Sequence, residues 1–441
     1  MQPMAGPRHA RPVPNIASRH RLKLRRHRAL KITVMSLVSI LLFGGTAVAT
    51  RLYDLQSNIR TVDISHLLVE SARPSHRATT KGDKSPGDPF AGQAVNILLF
   101  GVDDRSGDNA RIVKDEQDGA VLNDVNMIVH ISADRQRIDT VALPRDLLVD
   151  LPGCIQVSGD EGHPIGYHGQ INAAWAQGTG GGEGNHAQGI ACVVKTVEEV
   201  TGVRLDGWVM VDFFGFVSMV DALGGVEMCI EEDFKGQGLN VEITAGMQTL
   251  DGRTALRYAR TRKGWSGEKR LDGSDLERIG RQQQMISAVI HKVLAERSLG
   301  SIPKVNNFAT ALTKSLTVSD DLNSIRELIG LAYSLRNIEM ANVSLLQMPT
   351  VPAWSDSNRV EPDDYGSSNP MGMTAQEVFE YLATDQPIPG TVPYKLINPD
   401  PPAEDQEGDP ASPAPHGTAP KPTPEQGIVT AFDAPVTCKT G

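Results

Sequence analysis

Aromatic side chains are scarce in this sequence. Phe, Tyr and Trp make up 5 % of its 441 residues, which weighs against a carbohydrate-binding surface built from stacked rings. Four cysteines, Cys154, Cys192, Cys229 and Cys438, form no CxxC pair, and so show neither thioredoxin nor zinc-site spacing. There is no HExxH motif and no nucleophile elbow, and the Gly-rich stretch 178–184 lacks the Lys-Ser/Thr that a P-loop requires. His163, His168 and His186 match no compact zinc motif. No internal repeat and no helix-turn-helix stands out.

Acidic residues are missing from the first fifty positions. Ten of the 43 Lys and Arg lie at or before Arg51, so the remainder carries 33 basic against 53 acidic residues, about −20. A body this acidic is a poor partner for nucleic acid, whose binding rests on neutralising phosphates. An anionic substrate must instead meet a local arginine cluster or a metal.

What the N-terminus does have is a basic block, Arg19 to Lys31, followed by the uncharged run Ile32 to Thr50. At ~1.5 Å per residue, a helix of this length approaches the hydrocarbon thickness of a bilayer. The basic flank stays cytoplasmic by the positive-inside rule. The expected layout is a cytoplasmic segment at 1–31, a transmembrane helix at 32–50 and an extracytoplasmic stalk at 51–93. A cleaved signal peptide is the alternative, because Ala47-Val48-Ala49 fits a cleavage site. In an exported protein, four cysteines suggest disulfides, with Cys154–Cys192 and Cys229–Cys438 the preferred pairing and free thiols the alternative.

Order begins at Val95 to Gly101, a continuous apolar run of the kind that marks a doubly buried strand. Further strands are predicted at 125–131, 137–143, 208–213, 226–230 and 343–347. Helices are predicted at 187–201 and 214–223, with two more between 303 and 335. Ser274 and Glu277 form a capping-box pattern opening a helix over 275–296, where Ile279, Ile286, Val289 and Val293 share one face. Alternation of strands and helices predicts an α/β domain. Residues 399–427, rich in Pro, Asp, Glu and Ala, read as disordered.

Chemistry-bearing residues gather at predicted strand ends, where open α/β sheets bind ligands. Asp103, Asp104 and Arg105 follow the first strand, Asp124 precedes the second, and Arg145-Asp146 follow the third. Two such carboxylates suit Mg²⁺, although acids at strand ends are also ordinary turn residues. Arg257, Arg260 and Arg262 form another group. Arg278, Arg281 and Gln282 occupy one face of the capped helix, whose N-terminus favours anions. Arginine suits bidentate contact with phosphate.

The stretches NILLFGVDDR, LNDVNMIVHISADRQRIDTVALPRDL, GQINAAW, VDFFGFVSMVDALGGVEM, AGMQTLDGRTALRYARTR and SDLERIGRQQQ together resemble the LytR–CpsA–Psr family over about residues 95–300. The resemblance implies an α-β-α sandwich around a central mixed β-sheet, with one N-terminal transmembrane helix. It implies a catalytic domain at 94–300, an extension at 301–398 and a tail at 399–441. The implied activity moves a glycopolymer phosphate from a polyprenyl diphosphate carrier onto peptidoglycan, at the outer face of the membrane. By resemblance, Asp103 and Asp124 hold Mg²⁺, with Mn²⁺ an alternative. Arg145, Arg260, Arg262, Arg278 and Gln282 bind the diphosphate, Arg105 and Arg281 support them, and Asp275 orients the arginines.

Two positions depart from the family pattern. Leu122 stands where an Arg is usual, and Gln170, at a substrate-facing position, replaces a common Lys. The cysteine positions and Asn123-Asp124 look like an actinobacterial branch. A non-catalytic wall- or lipid-polymer-binding protein is one alternative, and a transcriptional attenuator another, though the acidic body opposes nucleic-acid binding. Pyrophosphatase action, with water as acceptor, is a third. Asp104 and Asp146 are both candidates for general base.

Overall fold

The computed structural model describes residues 16–75, 87–103, 109–112, 121–155, 165–180, 186–271, 273, 275–296, 302–356, 359–368, 372–391 and 429–430. For 16–30, 32, 165–168, 275–276, 293–296, 302–306, 340 and 429–430 the backbone alone is described. The chain forms two compact units, residues 1–54 and 55–441.

The described part of the first unit is helical and belongs to α1 (Ile16–Asn58). Within α1, Thr33–Asn58 is long and apolar enough to cross a membrane once. Leu41 and Phe43 are exposed at 70 % and 79 %, a pattern suited to lipid rather than to a protein core.

The second unit is built on a mixed sheet. Its labelled strands are β1 (Val95–Gly101), β2 (Val125–Ile131), β3 (Ile138–Leu143), β4 (Gly207–Val211), β5 (Leu316–Val318) and β6 (Val343–Gln347). Across the sheet the order is Arg60–Thr61, β5, β4, β1, β2, β3, β6 and Val429–Thr430. The pairs β1–β2 and β2–β3 are antiparallel, while β4–β1 and β3–β6 are parallel. Strands β5 and β6, from beyond residue 300, thus lie within this sheet.

Alternating side chains assign the two faces. Leu98, Phe100, Ile128, Val141 and Leu143 pack in one core with α2 (Ala174–Thr179), α3 (His186–Thr201) and the later helix α9 (Ala375–Ala383). On the other face, Leu99, Met127 and Ala142 meet α6 (Asp275–Glu296). Val95 and Ile131 there meet α8 (Ile325–Ser334). The result is the expected α-β-α sandwich. A separate core joins α4 (Phe213–Ala222) and α5 (Gly252–Arg260) to α6 and the antiparallel pair Val226–Ile230 and Gly246–Leu250. Helix α7 (Ile302–Ser315) comes next in the chain.

Several elements depart from the expected pattern. Helix α5 covers the arginine group at 252–260, where no apolar periodicity announced a helix. Asp251 caps it by accepting from the Thr254 N–H at 2.7 Å. A small sheet of Phe234–Gly236, Val241–Ile243, Gly264–Ser266 and Lys269–Arg270 surrounds it. Helix α9 carries a full capping box of Thr374 and Glu377.

Cys154 and Cys192 are joined in a disulfide with Cα atoms 5.4 Å apart, as expected. Cys229 is disulfide-bonded too, while its expected partner, Cys438, lies outside the described residues. So do Ser274 of the expected capping box, residues 181–184 of the Gly-rich stretch, and residues 399–427.

Candidate active site

Register fixes the first two carboxylates. Gly101 of β1 pairs with Val125 of β2, so Asp103 and Asp124 leave adjacent strands at the same end of the sheet. The Asp103 N–H donates to the Leu122 carbonyl at 3.0 Å, fastening the two segments together. Asn123, fully buried, anchors the turn before β2. Its side chain donates to the Ile171 carbonyl at 3.3 Å and to Asn126 at 2.9 Å, and accepts from the Trp175 N–H at 3.1 Å. The paired motifs around Asn123 and Asn172 therefore hold the Asp124 backbone in place.

Arginines converge on these carboxylates from three elements. Arg145, beyond β3, donates to Asp124 at 2.9 Å. Arg278, near the start of α6, approaches the same carboxylate at 3.9 Å and donates to the Asp124 carbonyl at 3.3 Å. Arg260, at the end of α5, lies 3.6 Å from Asp103, with its guanidinium 4.0 Å above the centre of the Phe213 ring. Burial alone would push the Asp124 carboxyl up. The charges of Arg145 and Arg278, with the Arg145 hydrogen bond and the charge of Arg260, overcome it and hold the carboxyl below its ordinary range.

Helix α5 can present Arg260 because it lies hard against α4. A Cβ on Gly252 would sit 2.3 Å from the Val217 carbonyl oxygen. The helix ends at Thr261, fully buried, whose carbonyl accepts from Arg281. Arg281, itself 8 % exposed, thus stands behind the cluster and braces the turn from which Arg260 and Arg262 emerge. Tyr258 of α5 is buried, which drives its hydroxyl up to about 12 and keeps it protonated.

Asp146 draws three guanidinium groups. Arg359 donates to it at 2.8 Å, Arg262 at 3.4 Å, and Arg145 lies at 3.5 Å. A carboxylate so engaged serves to position the arginines around it. Gln170 reaches the site through Arg359. With its amide oxygen turned to the guanidinium, it accepts from Arg359 at 2.9 and 3.2 Å.

These groups close one end of a cavity of ≈ 1270 Å³. Asp103, Asp124, Arg145, Arg260, Arg262, Arg278, Gln282 and Arg359 all line it. Asp146, Asp212, Gln237 and Lys263 line it too, and the rest of the lining is largely apolar: Leu99 and Val209 of the sheet, Phe216 and Met219 of α4, Met285 and Val289 of α6, and Leu312 of α7. Among the described residues, six basic and four acidic side chains line it. The net sign is opposite to that of the acidic body around it.

Arg359 escaped sequence reasoning, being one arginine in a polar segment remote from every motif. Arg105 and Asp104 lie outside the described residues. Asp275 opens α6, but its side chain is not described. Among the described residues, no group of three or more His, Cys, Asp or Glu converges. A cation here would draw on Asp103 and Asp124 and complete its shell with water and phosphate oxygens. That is the donor set Mg²⁺ takes, so the residues fit it.

An apolar cavity ending in arginines and carboxylates at strand ends defines an α/β domain shaped for an amphiphilic anion. Residues 63–368 match the LytR_cpsA_psr family, and the chain belongs to that family. It is 27 % identical to the cell wall biosynthesis protein LcpA of Corynebacterium glutamicum over 293 residues, 62 % of this chain and 52 % of LcpA. It is also 27 % identical over 283 residues to the polyisoprenyl-teichoic acid–peptidoglycan teichoic acid transferase TagT of Bacillus subtilis, covering 62 % of this chain and 76 % of TagT. The chain spans about half the length of the corynebacterial relatives LcpA and LcpB, 52 % and 51 %. A solved LytR-Csp2A-Psr enzyme from Actinomyces oris is 17 % identical, with a TM-score of 0.47 over 71 % of this chain and 97 % of that one.

Proposed function

We propose that this protein transfers a phosphate-linked glycopolymer from a polyprenyl diphosphate carrier to peptidoglycan, on the extracytoplasmic side of a membrane that it spans once. The observation that carries the reading is the cavity itself, apolar along its walls and arginine-lined at one end. TagT and LcpA, by their names a teichoic acid transferase and a cell wall biosynthesis protein, support the same direction. The basic block before the apolar helix supports the orientation.

Phosphoryl transfer asks a protein for positioning and charge neutralisation more than for a covalent nucleophile. Arg145, Arg260, Arg262 and Arg278 supply both, because Asp124, Asp146 and Asp103 fix their guanidinium groups before substrate arrives. The apolar walls hold the polyprenyl chain and keep water from the bond to be broken. Asp103 and Asp124 would hold Mg²⁺, which would draw charge from the phosphate oxygens. A wall hydroxyl forms a bond to the sugar-linked phosphorus, and the bond from that phosphorus to the bridging oxygen breaks. The electron pair departs with polyprenyl phosphate, and the hydroxyl proton passes to a nearby base or to solvent. Water in place of the wall hydroxyl would give pyrophosphatase action.

The test is full-length protein in detergent with a polyprenyl diphosphate-linked saccharide and peptidoglycan. Metal-dependent release of polyprenyl phosphate, with label appearing in the wall fraction, is expected. Tight lipid binding without release would instead mark a non-catalytic carrier.

A further inference from the structure

Beyond the arginine cluster, one wall of the cavity belongs to a hairpin of β7 (Thr350–Pro352) and β8 (Val360–Pro362). Pro352, Arg359 and Val360 line the cavity. The Ala353 N–H donates to the Arg359 carbonyl at 2.9 Å, so Trp354 lies directly beyond the rung that carries Arg359. Trp354 is 98 % exposed, whereas Trp175 and Trp208 are each 3 % exposed and Trp265 is 47 % exposed. Tyr365, past the end of β8, is 89 % exposed. In a chain with so few aromatic rings, a bare Trp354 next to the segment that lines the cavity stands out.

The ion pairs give the site a direction. Contacts run from Arg359 to Asp146, from Asp146 to Arg145, and through Asp124 to Arg278. From Arg278, α6 continues for two to three turns to Met285 and Val289, which line the apolar cavity. A polyprenyl diphosphate held with its tail along α6 has its phosphates among Arg278, Arg145 and Arg262. The group beyond the phosphates then emerges beside Arg359 and Trp354.

We propose that the hairpin around Arg359 and Trp354 is a saccharide-binding wall, with the Trp354 indole stacking on a pyranoside ring. This rests on the polyprenyl diphosphate reading above. A sugar presents a flat C–H face to an aromatic ring and hydroxyls to polar neighbours, and Asp356, Arg359 and Gln170 supply the polar partners. A membrane surface fits less well, because Asp356, Glu361 and Asp364 make the segment acidic and repel anionic lipid. The ring comes from the glycan on the carrier or from the wall glycan, two sources of one chemistry.

The test compares wild type, W354A and W354F, full-length in detergent, for affinity toward polyprenyl diphosphate with and without a disaccharide. Soluble peptidoglycan glycan fragments are titrated in parallel, with tryptophan fluorescence as readout. For wild type, the saccharide-bearing carrier is expected to bind more tightly than the bare one. W354A should cut that ratio about tenfold, and W354F should restore most of it. A loss confined to the soluble fragments assigns the wall to the acceptor glycan, and still upholds it. An unchanged ratio together with unchanged fragment binding overturns the proposal. So does a W354A defect seen only with phosphatidylglycerol vesicles. Should wild type bind neither carrier, the transferase reading fails, and the fragment titration still decides the saccharide wall.

Discussion

The Arg145 guanidinium lies 2.9 Å from the Asp124 carboxylate, joining the ends of two neighbouring strands by a charged contact at the charged end of the cavity. Arg278 adds a second positive charge at 3.9 Å. The Asp124 carboxyl is therefore held below its ordinary value of 3.8 despite burial. A depressed folded value contributes stability that is present above the unfolded value and lost as pH falls through the folded one. Melting temperature followed from pH 7 to 3 should show Asp124→Asn below wild type at neutral pH. The gap should narrow only under about pH 4, where the unfolded carboxylate begins to take up its proton. A gap already closing at pH 6 would contradict the ion-pair account.

Arg260 combines an ion pair to Asp103 with a stack on Phe213. Arg260→Ala is expected to slow polyprenyl phosphate release by about 10²–10³, the usual cost of deleting one preorganised charge donor. Arg260→Lys restores the charge but not the planar stack, so it should recover only part of the rate. Release assays beside thermal melts will separate this from unfolding, since neither variant should melt far from wild type.

The Cys154–Cys192 disulfide closes a loop across 38 residues that contains Gln170, Asn172 and Trp175. Cys154→Ser with Cys192→Ser should lower stability in urea by roughly 2–4 kcal/mol. Asn172 and Trp175 bond to the Asn123 turn, so lipid affinity should weaken as well. Equilibrium unfolding and a binding titration on the double variant check both effects.

Gly252 touches α4 so closely that a Cβ would sit 2.8 Å from the Val217 Cα as well as 2.3 Å from its carbonyl oxygen. Backbone atoms have little room to give. Gly252→Ala should destabilise by about 1–3 kcal/mol and displace α5, reducing turnover more than the stability loss alone explains. Calorimetry and kinetics at a temperature where the variant stays folded will show it.

Sequence reading reached furthest where one local signal sufficed. The apolar run Val95–Gly101 and the periodic face of α6 carry their own evidence, and both elements stand where expected. The same holds for Asp103, Asp124, Arg145, Arg260, Arg262, Arg278 and Gln282, which their motifs named and the fold brings to one cavity. Helix α5 was hidden because Gly252 and Thr254 are weak helix formers, and its packing on α4 overrides their propensity. Thr374 and Glu377 spell a capping box that was there to be read for α9. Arg359 had no such signal. Its partner Asp146 lies more than two hundred positions earlier in the chain, and only the assembled fold brings them together.

The order of strands across the sheet carries a consequence for biosynthesis. A polypeptide emerging N-terminus first delivers β1 to β4 and most of the arginines before β5 and β6, which sit further out on its two sides. Helix α7, whose Leu312 closes the apolar wall, also arrives late, and the Arg359 hairpin comes later still. A nascent chain halted near residue 300 thus carries the anion-binding charges without an enclosure for a lipid. Under the proposed function, capacity to hold the lipid carrier is therefore gained only once the segments beyond residue 300 have been made.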